Sequence, residues 1–553
     1  MNKRILIIGG YGVFGGRLAL ALAKTDRFDV FVAGRNGGKA TAFCQGTRCS
    51  ALALDTDSPN LDQILKDQNP DIVIDAAGPF QGYLDNPYRV AHAAIRCGAH
   101  YLDLSDDAEF TSGISGLNEL AIKANVTVLS GVSSVPALSS TVVAALAEGM
   151  TDIHLIESAI MPGNRAPRGE SVVRAIVGQV GRELPVWRGR KAETATGWSE
   201  SKVIALTNPQ GQVVARRWAS LIGAPDLRLF PDHFNARSVL FRAGLDLKLM
   251  HAGLWLLSLP VRFKLIKSLS PLAPVLKRAA DVLEPFGSDV GGMVVLVCGE
   301  CRTGRYENRV WTLIVRDGDG PNIPTVPAQI MCEKLLDGAV NAGARPCMEA
   351  FSMQEAETAL GKLKTTTSVN STSAELVFET AMGREFKKLP DMIGDLHTVL
   401  DVRRWSGRAH IQRGDGFLSR IAGWLAAFPP PGDDVEVTVE MRRTRHGETW
   451  ARTFGANTFR SHLSAKKTDV ENTLYERFGW LKFKIELCID DNKLRYPVLG
   501  GRLLFVPLPR FLLPKSDTCE YVDDKGRACF DVKISLPIAG PVVSYNGWLS
   551  PDP

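Results

Sequence analysis

The sequence predicts an α/β protein of several domains: an N-terminal doubly wound parallel sheet, an inserted α/β domain and a C-terminal antiparallel α+β domain. Two observations carry this prediction. Short apolar runs alternate with helical segments from residue 4 to residue 129, as in parallel sheets that are covered by helices. Near the C-terminus the pattern changes, and residues 435–441 (VEVTVEM) alternate strictly, which predicts a half-buried antiparallel strand.

The N-terminal strands are continuous apolar runs, as expected of strands that are buried on both faces of a parallel sheet. Six are predicted, at Arg4–Ile8, Val30–Ala33, Ala51–Leu54, Ile72–Asp75, His100–Leu102 and Val126–Leu129. Helices are predicted through Leu18 to Ala23 and over Tyr88–Cys97, where Gly98 supplies a good C-cap.

A glycine-rich turn follows the first strand directly and opens the first helix. It has the spacing G-x-G-x-x-G and consists of Gly10, Tyr11, Gly12, Val13, Phe14 and Gly15. In this context the first glycine permits a tight turn, the second lets the backbone approach a pyrophosphate, and the third lets the helix pack on the strand. The helix N-terminus adds free N–H groups for the phosphates. The motif predicts a Rossmann dinucleotide-binding domain; the alternative is an ordinary glycine-rich turn.

The end of the second strand predicts which dinucleotide is bound. An acidic residue there would hold a ribose 2′-hydroxyl, but the strand ends in Gly34, Arg35 and Asn36, and Asp29 is at its other end. An arginine in this place suits a 2′-phosphate, so NADP is favoured over NAD; the alternative is a solvated arginine.

Two further groups of candidate cofactor contacts end neighbouring strands. Asp55 ends the third strand, where it could accept a hydrogen bond from the adenine amine. Small residues end the fourth strand and would allow the ribose and nicotinamide to approach closely: Ala76, Ala77, Gly78 and Pro79.

These segments resemble the saccharopine dehydrogenase-like family. The matching pieces are residues 9–15, 32–35, 75–80 and 97–105, and the resemblance is specific over residues 1–145. It implies nicotinamide-dependent redox chemistry without specifying a substrate. In that family an inserted domain follows the nucleotide domain, and the chain then returns to it. The resemblance therefore implies a Rossmann domain at 1–145 that is completed by 320–360, with an α/β substrate or dimerisation domain at 146–319.

A β-rich domain of unknown role is predicted at 375–553, after a Thr/Ser-rich boundary segment at 365–373. Its predicted helices are Gly383–Leu400 and Phe417–Phe428, and its later strands are Trp480–Cys488, Leu494–Pro497 and Ala528–Leu536. It is similar to an uncharacterised domain that is often fused behind saccharopine dehydrogenase-like modules in bacterial proteins. That resemblance implies no activity.

Residues 245–278 combine large apolar residues with a basic excess. Three interpretations fit: core helices, a contact between subunits of a homo-oligomer, or helices at a membrane interface. The first two, core helices and a subunit contact, are together favoured over the membrane interface. No uninterrupted apolar run approaches the 18 or so residues that a membrane span needs.

Composition excludes several classes of protein. The 553 residues are 45% hydrophobic and 23% charged, which excludes wholesale disorder. The net charge of +5 is small for a chain of this length and does not indicate a nucleic-acid-binding protein. The ten cysteines are scattered, and Cys298 and Cys301 alone have metal-like spacing, on a segment typical of a buried strand; no metal site is expected. A reducing, cytoplasmic location is expected, and the alternative is a cytoplasmic protein that contacts the membrane peripherally.

An NADP-dependent oxidoreductase acting on a small molecule also needs a proton donor near the nicotinamide. Candidates at the carboxyl ends of strands are Tyr101, Asp103 and Ser130, and Asp103 leads because it follows the fifth strand at the edge of the expected crevice. The alternative is that Asp103 caps a helix or holds a loop. Two other functions stay open: an NADP-binding sensor or scaffold without turnover, and a lipid-handling protein.

Overall fold

The computed structural model describes residues 2–83, 86–167, 169–425 and 428–552. It divides into two compact units, the first made of residues 1–187 and 192–372 and the second of residues 188–191 and 373–553. The predicted fold class is confirmed: a parallel sheet, a mixed sheet and a C-terminal antiparallel sheet follow one another along the chain.

The strands up to residue 373 build two sheets. In chain order they are β1 (Lys3–Ile8), β2 (Phe28–Gly34), β3 (Cys49–Ala53), β4 (Ile72–Asp75), β5 (His100–Asp103), β6 (Thr127–Ser130), β7 (Met150–Met161), β8 (Glu183–Arg188), β9 (Lys191–Thr196), β10 (Lys202–Thr207), β11 (Val213–Leu221), β12 (Val239–Gly244), β13 (Gly291–Cys301), β14 (Tyr306–Val315), β15 (Gly343–Pro346) and β16 (Thr365–Ser373).

The helices of the same part of the chain lie between these strands. They are α1 (Val13–Leu22), α2 (Gly37–Cys44), α3 (Leu61–Gln68), α4 (Arg89–Cys97), α5 (Ala108–Gly113), α6 (Asn118–Lys123), α7 (Ser139–Ala147), α8 (Glu170–Gln179), α9 (Asp226–His233), α10 (Lys248–Arg262), α11 (Ala273–Val282), α12 (Val326–Leu336) and α13 (Met353–Leu360).

The first sheet is parallel and has the strand order β15-β6-β5-β4-β1-β2-β3. The order reverses between β1 and β4, and in open sheets of this kind ligands bind in the crevice at the carboxyl ends of the strands beside that point. Strand β15 joins from far along the chain, and its residues 343–346 pair in parallel with residues 127–130 of β6. The apolar core beside this sheet includes Leu6, Ile8, Val73 and Val128, whose side chains are nearly inaccessible to solvent.

The second sheet is mixed, with the order β10-β11-β12-β7-β13-β14-β16. The Thr/Ser-rich segment 365–373 forms the strand β16 beside β14, and the division between the two units falls within it, between residues 372 and 373. Threonine is β-branched and favours strands, so its enrichment marked an edge strand rather than a linker.

The second unit holds one antiparallel sheet and three helices. Its strands are β17 (Val402–Arg413), β18 (Gly432–Thr444), β19 (Gly447–Phe454), β20 (Asn457–Ser464), β21 (Thr473–Phe478), β22 (Leu481–Glu486), β23 (Cys488–Asp490), β24 (Lys493–Arg495), β25 (Val498–Leu503), β26 (Val506–Pro507), β27 (Lys515–Val522), β28 (Ala528–Leu536) and β29 (Gly540–Pro551). Its helices within the described ranges are α14 (Val377–Met382), α15 (Asp391–Leu396) and α16 (Phe417–Leu425).

The predicted helix Gly383–Leu400 is wrong in its length. A 3-10 turn covers Gly383–Lys388, and α15 begins only after Pro390. Proline lacks the N–H that a helix interior needs, so it separates the two pieces. The predicted helix Phe417–Phe428 extends over residues 426 and 427, which lie outside the described residues.

One hairpin joins the two ends of the antiparallel sheet. Its two strands, residues 481–490 and 493–503, are each interrupted once. Near the turn, β24 pairs with β27, whereas at the open end β22 pairs with β21. Since β27 and β21 belong to opposite ends of the remaining strand order, the sheet closes on itself through this hairpin.

Candidate functional site

The glycine turn lies at the carboxyl end of β1. Gly9 has a φ of +72°, and a Cβ atom there would lie 2.7 Å from the carbonyl oxygen of Ala76. Only glycine adopts this conformation without strain. The sequence analysis assigned the tight turn to Gly10, and the structure corrects this: the left-handed residue is Gly9, while a Cβ on Gly10 would lie 2.7 Å from the carbonyl oxygen of Ile7.

Gly12 and Gly15 meet different surroundings. A Cβ on Gly15 would lie 2.4 Å from the carbonyl oxygen of Gly9, so this glycine lets α1 pack on the end of the strand. A Cβ on Gly12 would meet a single atom, the carbonyl oxygen of Gly9 at 3.0 Å, and otherwise open space. Gly12 is also the N-cap of α1, which has no side-chain cap and no acidic residue in its first turn. The N–H groups that open α1, at Val13 and Phe14, therefore adjoin this space, and such a helix end binds phosphate.

Tyr11 connects the glycine turn to the end of β2. Its hydroxyl accepts a hydrogen bond from the backbone N–H of Asn36 at 3.2 Å. A Cβ on Gly34 would lie 2.5 Å from the Tyr11 ring, so Gly34 is needed for this contact. The two segments expected to hold the dinucleotide are therefore fixed to each other.

Arg35 is exposed at the end of β2, and within the described ranges no carboxylate pairs with it. Asn36 caps α2 by accepting from the N–H of Lys39 at 2.9 Å, and Lys39 is also exposed. Asp55 is exposed after β3, where its carboxylate accepts from the N–H of Asp57 at 3.1 Å. A free arginine beside a helix N-terminus fits a 2′-phosphate.

Two buried carboxyl groups end β4 and β5 side by side. Asp75 and Asp103 are partners in the parallel ladder, and both are completely inaccessible. Burial, together with the nearby charge of Asp75, raises the pKa of Asp103 to about 7. Burial raises the pKa of Asp75 to about 6. The pair therefore carries a proton near neutral pH, as acid–base groups in active sites do.

Hydrogen bonds tie Asp103 to the loop that follows β6. Its Oδ1 accepts from the hydroxyl of Ser130 at 2.9 Å, and from the N–H groups of Gly131 at 2.8 Å and Ser105 at 3.0 Å. Its Oδ2 is buried and has no hydrogen-bond partner in the part of the chain that the structure describes. The structure thus brings together Asp103 and Ser130, and Asp103 does hold a loop.

Tyr101 is almost fully buried on β5, and burial raises its pKa well above the usual value, with the nearby charge of Asp103 adding to the effect. Its hydroxyl is therefore protonated at every physiological pH. Ala77 follows β4, and its N–H donates to Asp75 Oδ1 at 3.0 Å. Gly78 and Pro79 continue this loop toward Tyr83.

Three residues at this end of the sheet were missed by the sequence analysis. Asp75 ends β4 as Asp103 ends β5, and that parallel was a usable signal. The Tyr83 hydroxyl lies 3.3 Å from both carboxylate oxygens of Asp75. Asp226 is the first residue of α9, a helix that packs against α5 and α7. It gives no local signal, because only the packing of α9 buries it.

Asp226 is 1% exposed, and neither carboxylate oxygen has a hydrogen-bond partner among the described residues. Burial raises its pKa to about 7. The described residues contain no group of histidine, cysteine, aspartate and glutamate side chains that would hold a metal ion.

A parallel sheet with the order found here and a glycine turn opening its first helix define a dinucleotide-binding domain of the Rossmann type. In sequence, residues 5–129 match the family described as the saccharopine dehydrogenase NADP binding domain. Residues 389–549 match a family described as a domain of unknown function, DUF4166. Both resemblances expected from the sequence are confirmed.

Two solved structures illustrate what part of this chain is similar to. Apo saccharopine dehydrogenase (L-Glu forming) from Saccharomyces cerevisiae is 16% identical, with 67% of this chain and 100% of that chain covered and a TM-score of 0.48. A meso-dapdh mutant from Clostridium tetani, with DAP, is 12% identical, with 65% and 99% covered and a TM-score of 0.35. No curated protein matches the chain in sequence.

Proposed function

We propose that this protein is an NADP-dependent oxidoreductase that acts on a small-molecule substrate. The observation that carries the proposal is Arg35, which is exposed after the end of β2, pairs with no carboxylate of the described residues and lies in the same domain as the open space at Gly12. Gly12 and the N-terminus of α1 would hold the pyrophosphate, and Arg35 the 2′-phosphate. Asp55 would contact the adenine, and residues 76–79 would adjoin the nicotinamide.

NADPH, when bound, supplies a hydride to a carbonyl, imine or alkene carbon. The chain must then deliver a proton, and Asp103 holds one at neutral pH because its pKa is raised to about 7. Ser130 and the loop after β6 orient this carboxyl group. Tyr101 is the second candidate donor, since its hydroxyl stays protonated. Asp103 and Tyr101 are both buried, which excludes water from either candidate donor.

The test compares the two cofactors by thermal shift. NADPH should raise the Tm more than NADH at equal concentration, because a ligand at 100 times its Kd stabilises by about 2.7 kcal/mol. Arg35→Ala should reduce the difference, since the 2′-phosphate loses its partner. Arg48→Ala is the matched control: this arginine is exposed in the same domain and pairs with Asp26. Equal shifts by both cofactors in the wild-type protein would contradict the proposal.

A second candidate is an NADP-binding sensor or scaffold without turnover. The observation that favours it is that Asp103 Oδ1 already accepts three hydrogen bonds within the protein, from Ser130, Gly131 and Ser105. A cytoplasmic location is proposed for either function, because the ten cysteines are scattered along the sequence rather than arranged as a dense disulfide framework.

We also propose peripheral membrane contact through residues 245–278. The core interpretation is wrong for much of this segment, because α10 buries only His251, Ser258 and Val261 among its side chains, while Leu256 and Phe263 are exposed. Lys248, Arg262, Lys264 and Lys267 accompany these apolar groups, which suits an anionic interface. Subunit contact is the alternative. No helix of the described ranges is long and apolar enough to cross a membrane.

Trp255→Ser combined with Phe263→Ser should weaken co-sedimentation with anionic vesicles and leave the Tm within a few degrees of wild type, because both side chains are exposed. Binding should also weaken at high salt, since each lysine or arginine contributes about 1 kcal/mol that salt screens. The control is Leu120→Ser with Ile122→Ser, two exposed apolar residues on α6. A steep loss of Tm in the double variant would instead indicate a packed contact.

A further inference from the structure

The open end of the hairpin 481–503 exposes a cluster of large apolar side chains. Phe505 is 92% exposed, and Trp480 and Val506 are also largely accessible. Trp480 and residues 503–506 lie together, because Leu503 pairs with Val506 across the last two strands and the N–H of Leu504 donates to the carbonyl oxygen of Trp480 at 2.9 Å. The apolar tip is defined here by Trp480, Leu499, Leu504, Phe505, Val506 and Phe511.

The conformation of this tip is costly for the residues that form it. Leu504 and Phe505 are the two residues between the paired Leu503 and Val506, and Leu504 has a φ of +55°. Two-residue turns of this kind favour asparagine or glycine, because most other residues are disfavoured at positive φ. A leucine and an exposed phenylalanine in such a turn contribute nothing to the core. Their presence is explained by contact with something outside the chain.

Cations outnumber carboxylates around the tip, although Arg495 pairs with Asp490 and Asp517 and the charge of Asp469 lies near Lys482. Residues 493–516 contain five lysine or arginine residues and no aspartate or glutamate. Across three adjacent strands, Arg477 pairs with Lys482 and Lys482 pairs with Arg502 in register, so three cations stand in a row. Like charges that face each other across strands destabilise a sheet. None of these three cations has an ion pair within the described residues.

The electrostatic environment of Lys482 agrees with this geometry. Partial burial lowers the pKa of Lys482, and Lys466, Arg502 and Arg477 lower it further because their like charges lie nearby. The row is therefore a region of positive potential that an anionic partner would relieve.

We propose that the apolar tip inserts into the surface of an anionic lipid bilayer, with the cation row and Arg510 contacting the headgroups. The two components match the layers of a membrane interface, where apolar chains lie beneath negative charge. A second copy of this chain is disfavoured as the partner, because the two cation rows would face and repel each other. This inference does not rest on the proposed redox function, and it concerns a surface of the second unit that is separate from residues 245–278.

The experiment measures partition of the full-length protein onto phosphatidylcholine vesicles with and without phosphatidylglycerol. F505S/F511S should lower partition onto anionic vesicles about tenfold or more, because two large apolar groups no longer insert. R502Q/R510Q should lower it about tenfold at low salt and hardly at all at high salt. F417S is the matched control, since Phe417 is 77% exposed on α16.

Each arm is repeated in the W255S/F263S background, so that loss at the tip is measured separately from loss at residues 245–278. Trp480 gives a second readout: brominated lipid should quench the wild-type fluorescence more than that of W480F. The proposal is overturned if F505S/F511S partitions as the wild-type protein does in both backgrounds. It is also overturned if the wild-type protein binds neutral and anionic vesicles equally, or if it binds a soluble acidic polypeptide but no vesicle.

Discussion

Gly12→Val abolishes the thermal shift by NADPH and by NADH while the protein remains folded. The reason is geometric: Gly12 has φ −76° and ψ 179°, which valine adopts readily, and a Cβ there meets one protein atom only, at 3.0 Å. The valine side chain would therefore project mainly into the open space beside the α1 N-terminus, where the pyrophosphate would lie. We expect the Kd for either cofactor to rise by more than about 100-fold, which corresponds to a loss of about 2.8 kcal/mol or more.

Two other glycine substitutions bracket this result. Gly116→Val is the control for the substitution itself, because nothing lies within 4 Å of a Cβ at that position in the same domain. Gly15→Val should instead lower the Tm sharply, since its Cβ would lie 2.4 Å from the Gly9 carbonyl oxygen. Cofactor shifts of wild-type size in Gly12→Val would place the dinucleotide elsewhere.

Asp226→Asn is expected to stabilise the protein at pH 8 and to leave its stability nearly unchanged at pH 4. Burial raises the pKa of Asp226 to about 7, against about 3.9 in an unfolded chain. A raised carboxyl pKa means that the folded state binds the proton more tightly, so stability is lost as pH rises from about 4 through 7. Asparagine cannot ionise and removes that loss, whose upper limit is about 4 kcal/mol for a shift of about three units.

The measurement is the free energy of unfolding by urea at several pH values for wild type and variant. Asp232→Asn is the control, since Asp232 is exposed on the same helix. The gain should develop between about pH 4 and 7. An equal loss of stability at both ends of this range would show that the ionised Asp226 has a favourable partner in the folded protein.

The sequence was most informative where local pattern and tertiary environment agree. Strand β28 was predicted at Ala528–Leu536, and the structure has the same bounds. Strands β4 and β6 are buried along their whole length and β1 over its last four residues, so their apolar runs were unambiguous. The glycine spacing and the residues that end β2 were likewise readable, because backbone conformation and strand position decide their role.

Predictions failed where packing between residues distant in the sequence determines which side chains are buried. The core interpretation of residues 245–278 failed, since side chains such as Leu256 are exposed and apolar content alone does not reveal which face is covered. The interpretation as a subunit contact stays a prediction. The raised pKa of Asp103 depends on burial beside Asp75, which only the ladder between β4 and β5 brings about. Asp226 enters this region through α9, over 100 residues away from β5 in the sequence.

The late arrival of β15 has a consequence for synthesis. Until residues 343–346 emerge, β6 is the outermost strand on its side of the parallel sheet, with an unpaired backbone edge. At about 5–20 residues per second, the more than 200 residues between them take roughly 10–40 s to translate. During that time the edge is a template for intermolecular pairing. A fragment ending near residue 145 would keep this edge permanently, so we expect it to aggregate, whereas the nascent full-length chain needs protection only until its seventh strand docks.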